Sequence, residues 1–210
     1  ADYREMLEKE QPDIAVIAMH DDRDRLDIVL AAAEAGAHIY VEKPVAASPE
    51  EVDQMMAACE RSGSLLIIAH PWRGHPPIQR MAIPMIQKGK IGEPRLARMY
   101  GRGGTSGGDQ MFLDLCPHFF DFLWQLFGAP TWCHAHITQD GRSVTAEDRK
   151  PGIEGMGLVA GNGIKAYYAF GGRSVAEFES FSWYPPRLPE GDGVESPYRI
   201  DIHGTAGTIS

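Results

Sequence analysis

Two short, continuous apolar runs, Ile14-Ala15-Val16-Ile17-Ala18 and Ile39-Tyr40-Val41, bracket a segment with helical spacing. An apolar run without alternation is the pattern of a strand buried on both faces. Parallel neighbours need a crossover between them, so this arrangement restricts the start of the chain to a β-α-β unit. Between Arg23 and Ala35 the apolar positions Leu26, Val29, Leu30 and Ala33 recur on one face, and Gly36 stops the pattern. Ser48-Pro49-Glu50-Glu51 then supplies an N-cap, a proline at the first helical position and a carboxylate three residues after the cap. Val52, Met55, Met56 and Cys59 share a face of that helix, Gly63 ends it, and Leu65 to Ala69 reads as another strand. Residues 12 to 69 therefore alternate strand and helix in the manner of a doubly wound sheet.

From His70 onward the pattern changes, which divides the chain into segments 1–70 and 71–210. The second segment reads as a helix from Pro77 to Lys88, a strand from Arg95 to Tyr100, a Gly-rich loop from Gly101 to Gly108 and an amphipathic helix near Phe112 to Phe127. Pro117 is expected in the first turn of that helix, with Asp114 just ahead of regular helix. Strands follow: Leu158 to Ala160 and Ile164 to Phe170 flank Gly161-Asn162-Gly163, the pattern of a hairpin turn, and Val175 to Trp183 and Arg199 to His203 continue.

A net charge of -9 over 210 residues, with no clustered Lys/Arg stripe, argues against nucleic acid as a partner. Three cysteines without CxxC spacing offer neither a disulfide framework nor a zinc site. The apolar runs fall far short of the ~20 residues of a membrane helix. The opening ADYREMLEKEQPD lacks a basic start and an apolar signal core, so the expectation is a reducing, cytoplasmic setting without a membrane.

Two groups of residues are suited to chemistry. Glu42-Lys43-Pro44 leaves the carboxyl end of a predicted parallel strand, the edge at which open α/β sheets bind ligands. On position alone, a solvated loop lysine accounts for Lys43 better. In Asp114-Leu115-Cys116-Pro117-His118-Phe119-Phe120-Asp121 the carboxylate and imidazole four apart share a polar stripe with Asp121 and Gln125, opposite an apolar stripe of phenylalanines and leucines. Histidine titrates near neutrality and suits proton exchange, although a solvent-facing Asp/His pair satisfies the same spacing. His70 and His75 flank Arg73 where the pattern changes. His134 and His136 share a strand face but have no third ligand at recognisable spacing, so no metal site is assigned.

The strand Ile14 to Ala18, the helix ending Ala33-Glu34-Ala35-Gly36-Ala37-His38, and Val41-Glu42-Lys43-Pro44 resemble the Gfo/Idh/MocA oxidoreductase family in order and spacing. So do Ser48-Pro49-Glu50-Glu51, Arg73 with Pro76, Gly89-Lys90-Ile91-Gly92, the Asp114/His118/Asp121 set and Gly204-Thr205-Ala206-Gly207-Thr208, a span of residues 12 to 208. The resemblance implies an α/β protein: a partial Rossmann-type parallel sheet joined to an α/β domain with a large, mainly antiparallel sheet. The nicotinamide of NAD or NADP would lie in the cleft between the two. It implies that Glu42, Lys43, Pro44 and His20 contact the cofactor, that Lys43, His118 and Asp114 are catalytic, and that Arg73, Asp114 and His118 bind a sugar, cyclitol or related polyol. It also implies a homo-oligomer formed through the sheet of the second domain. Two other readings stay open within this fold, a non-catalytic regulatory protein that binds nucleotide or sugar and an NAD-assisted glycosidase.

The chain departs from the family pattern in three places. No Gly-x-Gly-x-x-Gly run opens a β-α unit, so the resemblance implies on the order of 60 residues ahead of this segment, including those that distinguish NAD from NADP. Where the family often has Thr-Pro-Asn-x-x-His, this chain reads Met19-His20-Asp21-Asp22-Arg23-Asp24-Arg25. Cys116 occupies the usual glycine between Asp114 and His118, and Asp109 and Gln110 replace glycines ahead of them, from which an unusual substrate preference is expected.

Overall fold

The computed structural model describes residues 2–19, 24–101, 108–152, 157–183, 188–189, 195–196 and 198–210. The chain divides into two units, Ala1–Ala69 with Pro151–Gly157, and His70–Lys150 with Leu158–Ser210. His20 and most of the Gly-rich loop, residues 102–107, lie outside the described residues.

The first unit runs α1 (Tyr3–Glu10), β1 (Ile14–Ile17), α2 (Arg25–Glu34), β2 (His38–Val41), α3 (Pro49–Ser62) and β3 (Leu66–Ile68). The strands form a parallel sheet in the order β1-β2-β3. Local chemistry sets the ends of α3 as the sequence predicts. Ser48 Oγ accepts the Glu51 N–H, the Glu51 carboxylate reaches back to the Ala47 N–H, and Gly63 takes the left-handed conformation at φ 74°.

Burial differs from the sequence expectation. Ile17, Ile39 and Val41 pack with Val29, Ala32, Ala33, Met55 and Ala58. On the other face, however, Ile14 is 61% exposed, Val16 67%, Leu65 59% and Ile67 52%. The connections β1 to β2 and β2 to β3 step in the same direction, and crossovers of one hand then place both helices on one side of the sheet. An apolar run in the sequence specifies a strand suited to burial on two faces, but covering the second face takes other elements.

Arg25 is fully buried. It opens α2 on the same face as Val29, Ala32 and Ala33, and its guanidinium donates to the carbonyls of Met19 and Pro44. One side chain thereby ties the segment leaving β1 to the segment leaving β2, at the carboxyl edge of the sheet.

The second unit opens with a 3-10 turn, Pro71–Arg73, and a π-helical turn, Pro77–Ala82, that runs into α4 (Ile83–Gln87). A single helix from Pro77 to Lys88 was expected. Pro84 has no N–H for the Arg80 carbonyl, and the Ile83 N–H bonds the Ile78 carbonyl five residues back. Then follow β4 (Pro94–Gly101), α5 (Asp109–Phe127), β5 (Pro130–Gln139), β6 (Arg142–Ser143), β7 (Lys150–Pro151) and β8 (Leu158–Val159). The chain continues through β9 (Gly163–Phe170), β10 (Val175–Phe181), β11 (Leu188–Pro189), β12 (Glu195–Ser196), β13 (Tyr198–Gly204) and β14 (Thr208–Ile209).

Among the described residues the large sheet has the order β14-β13-β4-β10-β9-β5-β6, with every pair antiparallel except β4 with β10. The expected hairpin of Leu158–Ala160 with Ile164–Phe170 does not form, because β5 and β10 occupy both edges of β9. Gly161-Asn162-Gly163 is instead bound to its flanks. The Asn162 N–H donates to the Thr138 carbonyl, its carbonyl accepts from Ser182, and its side chain pairs with Asp140.

The core forms between α5 and one face of this sheet. Met111, Cys116, Phe119, Phe122 and Leu123 cluster with Ala97, Met99, Ile164, Ala166, Ala176 and Phe178. Pro117, expected in the first turn, lies in the interior of α5. An interior proline costs ~3 kcal/mol, whereas burying each large apolar side chain contributes about 1.5–3 kcal/mol, so the four large side chains outweigh the proline. On the opposite face, Asp201, Arg98, Glu177, Tyr167 and His134 lie side by side across five strands.

Replacing Arg25 with Met is expected to lower the unfolding free energy by about 2–3 kcal/mol, because it removes charged hydrogen bonds to two backbone carbonyls. Urea unfolding followed by circular dichroism measures it, and an unchanged midpoint would contradict the clamp.

Candidate functional site

Asp114, His118, Asp121 and Gln125 recur at positions i, i+4, i+7 and i+11 of α5, so they lie along one side of the helix. Cys116 belongs to the core and is fully buried. Its side chain does not join the polar stripe. Burial pushes its thiol well above the usual range.

His118 is buried at 8% exposure. Its Nδ1 lies 3.2 Å from Nδ1 of His70, with the rings edge to face at 5.4 Å and 89°. Trp72 packs on His118 with ring centroids 5.7 Å apart, and the same indole meets Phe122 edge-on and Tyr198 at 5.1 Å. One edge of the imidazole thus has a polar partner while an aromatic wall restricts the ring.

Arg73 forks onto Asp121. Its Nε lies 2.9 and 3.0 Å from the two carboxylate oxygens and its Nη2 2.6 Å from Oδ1. Gln125 Nε2 reaches the same carboxylate at 3.2 Å. Gln79 Nε2 donates to the Trp72 carbonyl at 3.0 Å and to Gln125 Oε1 at 3.2 Å. The resemblance assigned Arg73 to substrate; here one side of its guanidinium holds the Pro71–Arg73 turn against α5. Asp114, half-buried, sits one helical turn before His118.

In the first unit, β2 ends at Val41, and Glu42, Lys43 and Pro44 follow at the carboxyl edge of the parallel sheet, all half-buried. The Glu42 carboxylate accepts the Lys43 N–H at 2.9 Å, and Arg25 holds the Pro44 carbonyl. The structure therefore gathers Glu42, Lys43 and Pro44 in one unit, and Arg73, Asp114 and His118 in the other.

Sequence reasoning singled out His70 beside Arg73 without its partner, and it missed Trp72 and Arg25. Arg25 had a signal, since it falls on the apolar face of its helix four residues before Val29. His70 had none, being 48 residues from His118. Of the other histidines singled out, His136 Nε2 lies 3.1 Å from Ser143 Oγ on the exposed strand β5.

Residues 1–70 match the model of the Gfo/Idh/MocA oxidoreductase family, described as an NAD-binding Rossmann fold. Over 99% of its length the chain is 28% identical to a D-apiose dehydrogenase of Paraburkholderia graminis, covering 57% of that protein. It is 26% identical to a myo-inositol 2-dehydrogenase of Thermotoga maritima over 60% of the chain and 40% of the relative. An NAD-binding oxidoreductase of Klebsiella pneumoniae superposes with a TM-score of 0.75 at 21% identity, over 99% of this chain and 56% of that one. The chain thus spans about half the length of the relatives it matches. No helix among the described residues is long and apolar enough to cross a membrane.

At the start of α5, the half-buried Asp109 accepts the Ala160 N–H at 2.9 Å. Burial raises its pKa, and that hydrogen bond only partly opposes the rise. A carboxyl whose folded pKa is raised stabilises the fold below its unfolded pKa and loses that contribution as pH rises through the folded value. Asp109→Asn, which keeps the acceptor and removes the charge, is therefore expected to be more stable than the parent at neutral pH. The gain should shrink towards about pH 3. Urea titrations at the two pH values test this, and a gain that grows on acidification would reverse the sign.

Proposed function

We propose that the protein carrying this chain transfers hydride between NAD or NADP and a hydroxyl/carbonyl pair of a sugar, cyclitol or related polyol. What supports this most is the combination of an NAD-binding family match over residues 1–70 with a buried, hydrogen-bonded histidine one helical turn after a carboxylate in α5. The relatives named as dehydrogenases of D-apiose and myo-inositol point to polyhydroxylated substrates.

The donor set suits a nicotinamide cofactor on its reactive side. A parallel sheet presents Glu42, Lys43 and Pro44 at its carboxyl edge, where backbone and side-chain donors meet ligands in open α/β folds. In this reading Glu42, Lys43, Pro44 and His20 hold the cofactor, which when bound supplies the hydride acceptor or donor. Lys43 donates to the reacting oxygen. His118 exchanges the proton of the substrate hydroxyl, and Asp114 binds a neighbouring hydroxyl and orients the imidazole. Arg73 binds the substrate as well, from the turn that its fork onto Asp121 fastens to α5.

Self-association through the outer face of the large sheet is part of the same reading. Trp132 and Tyr167 stack there at 5.2 Å, and Phe181 stacks on Trp183 at 5.3 Å. Trp132 and Trp183 are 55% and 74% exposed, large apolar surfaces of the kind enriched at interfaces. A Trp132→Glu variant is expected to sediment as a smaller species than the parent, and identical sedimentation would remove this face from the assembly.

Turnover is tested by NADH or NADPH formation over a panel that includes D-apiose and myo-inositol. His118→Ala is expected to lower kcat by about 10²–10⁴-fold with cofactor affinity nearly unchanged. Full activity in that variant would remove the proton-exchange role.

A further inference from the structure

We infer that the polyol taken at this site is an acid, of the aldonic or uronic class, whose carboxylate is bound by the outer edge of the Arg73 guanidinium. The inference rests on the substrate site proposed around Asp114 and His118, and it names the class of polyol that fits there.

A guanidinium offers five N–H donors in a flat fork. Asp121 takes the edge formed by Nε and Nη2, at 2.9, 3.0 and 2.6 Å. The other edge, formed by Nη1 and the second N–H of Nη2, has no hydrogen-bond or ion-pair partner among the described residues. Exposure separates the two charges, since the Arg73 side chain is 54% exposed and that of Asp121 only 10%. Both oxygens of Asp121 are engaged, Oδ1 by Nε and Nη2, and Oδ2 by Nε and Gln125. A ligand therefore meets the cation, with the carboxylate behind it.

Two N–H groups side by side in one plane match the two oxygens of a carboxylate, whereas a hydroxyl offers a single oxygen. Asp121 also holds the side chain from behind, so the fork is oriented before a ligand arrives. Position along α5 sets the direction of the substrate. Asp114 and His118 are about 6 Å apart along the helix axis, and Asp121 lies about 4.5 Å further on. The Arg73 fork, fastened at Asp121, is thus on the opposite side of His118 from Asp114. A substrate lying along this side places its carboxylate at Arg73, its reacting hydroxyl at His118 and a further hydroxyl at Asp114. The reverse orientation would bring two carboxylates together at Asp114, which repel. The carboxylate is then several bonds from the carbon that exchanges hydride, which excludes an α-hydroxy acid, where the two carbons are adjacent.

Initial rates with NAD and NADP isolate the charge when D-gluconate is compared with D-gluconamide and D-glucuronate with D-glucuronamide, because each pair shares its hydroxyls. In the protein that carries this chain, the acid of at least one pair is expected to have kcat/KM about 10–100-fold above its amide, mainly through KM. This comparison needs no variant. Arg73→Lys, which keeps a cation for Asp121 and loses the fork, is expected to lower the acid-to-amide ratio about tenfold, with circular dichroism reporting that the fold is kept. Equal kcat/KM for acid and amide in the parent, or a ratio that Arg73→Lys leaves unchanged, would overturn the inference. So would an effect of Arg73→Lys confined to the Kd of the cofactor, which would assign the edge to its phosphates. Turnover of neutral polyols alone removes the acid and leaves the hydride-transfer reading intact. If none of the four compounds is turned over, calorimetric titration decides. Binding of an acid above its amide, lost in Arg73→Lys, keeps the fork while hydride transfer to these polyols fails, and no such preference removes the fork.

Discussion

The packing of α5 against the antiparallel sheet is the constraint on which the second unit depends. Its buried side, Met111, Cys116, Phe119, Phe122 and Leu123, meets side chains from β4, β9 and β10. With 3.6 residues per turn, fixing that side fixes the azimuth of Asp114, His118 and Asp121 as well. A rotation of the helix by one position would send phenylalanines into the polar stripe and polar groups into the core. Apolar burial on one side of the helix thereby does the work of aiming the polar groups on the other.

Much of this was legible in the sequence because it follows from periodicity and caps. The strands at 14–17 and 38–41, the Ser48 cap and the Gly63 stop of α3 all rest on residues within one turn of each other. The amphipathic pattern of α5 was clear for the same reason. The resemblance to a family of two-domain oxidoreductases added the change from parallel to antiparallel sheet, which single-residue patterns do not specify.

What escaped the sequence was decided by neighbours far along the chain. The Gly161-Asn162-Gly163 segment has the residues of a tight hairpin, yet β9 pairs with β5 and β10, and Asn162 bonds to Thr138, Asp140 and Ser182. Pro117 was expected near a helix start on local grounds, but the apolar residues on both sides of it favour one continuous helix. The first sheet shows the same limit. Apolar runs at 14–17 and 65–69 specify strands fit for burial on both faces, while the direction in which the strands step decided which face the helices cover.

The two units hold their polar edges by different means. At the carboxyl edge of the parallel sheet, a buried arginine on α2 fixes two backbone carbonyls, so the positions of Glu42 and Lys43 depend on main-chain anchoring. On α5 the chemistry-bearing groups are held by side chains, with His118 between His70 and Trp72 and Asp121 gripped by Arg73 and Gln125. The first device suits the cofactor contact proposed for Glu42 and Lys43, where backbone and one cation would face the ligand. The second suits the proton exchange proposed for His118, since a ring packed between His70 and Trp72 has little freedom to turn. Spacing along a helix can put a carboxylate and an imidazole on one side, but holding the ring there takes groups from elsewhere in the fold.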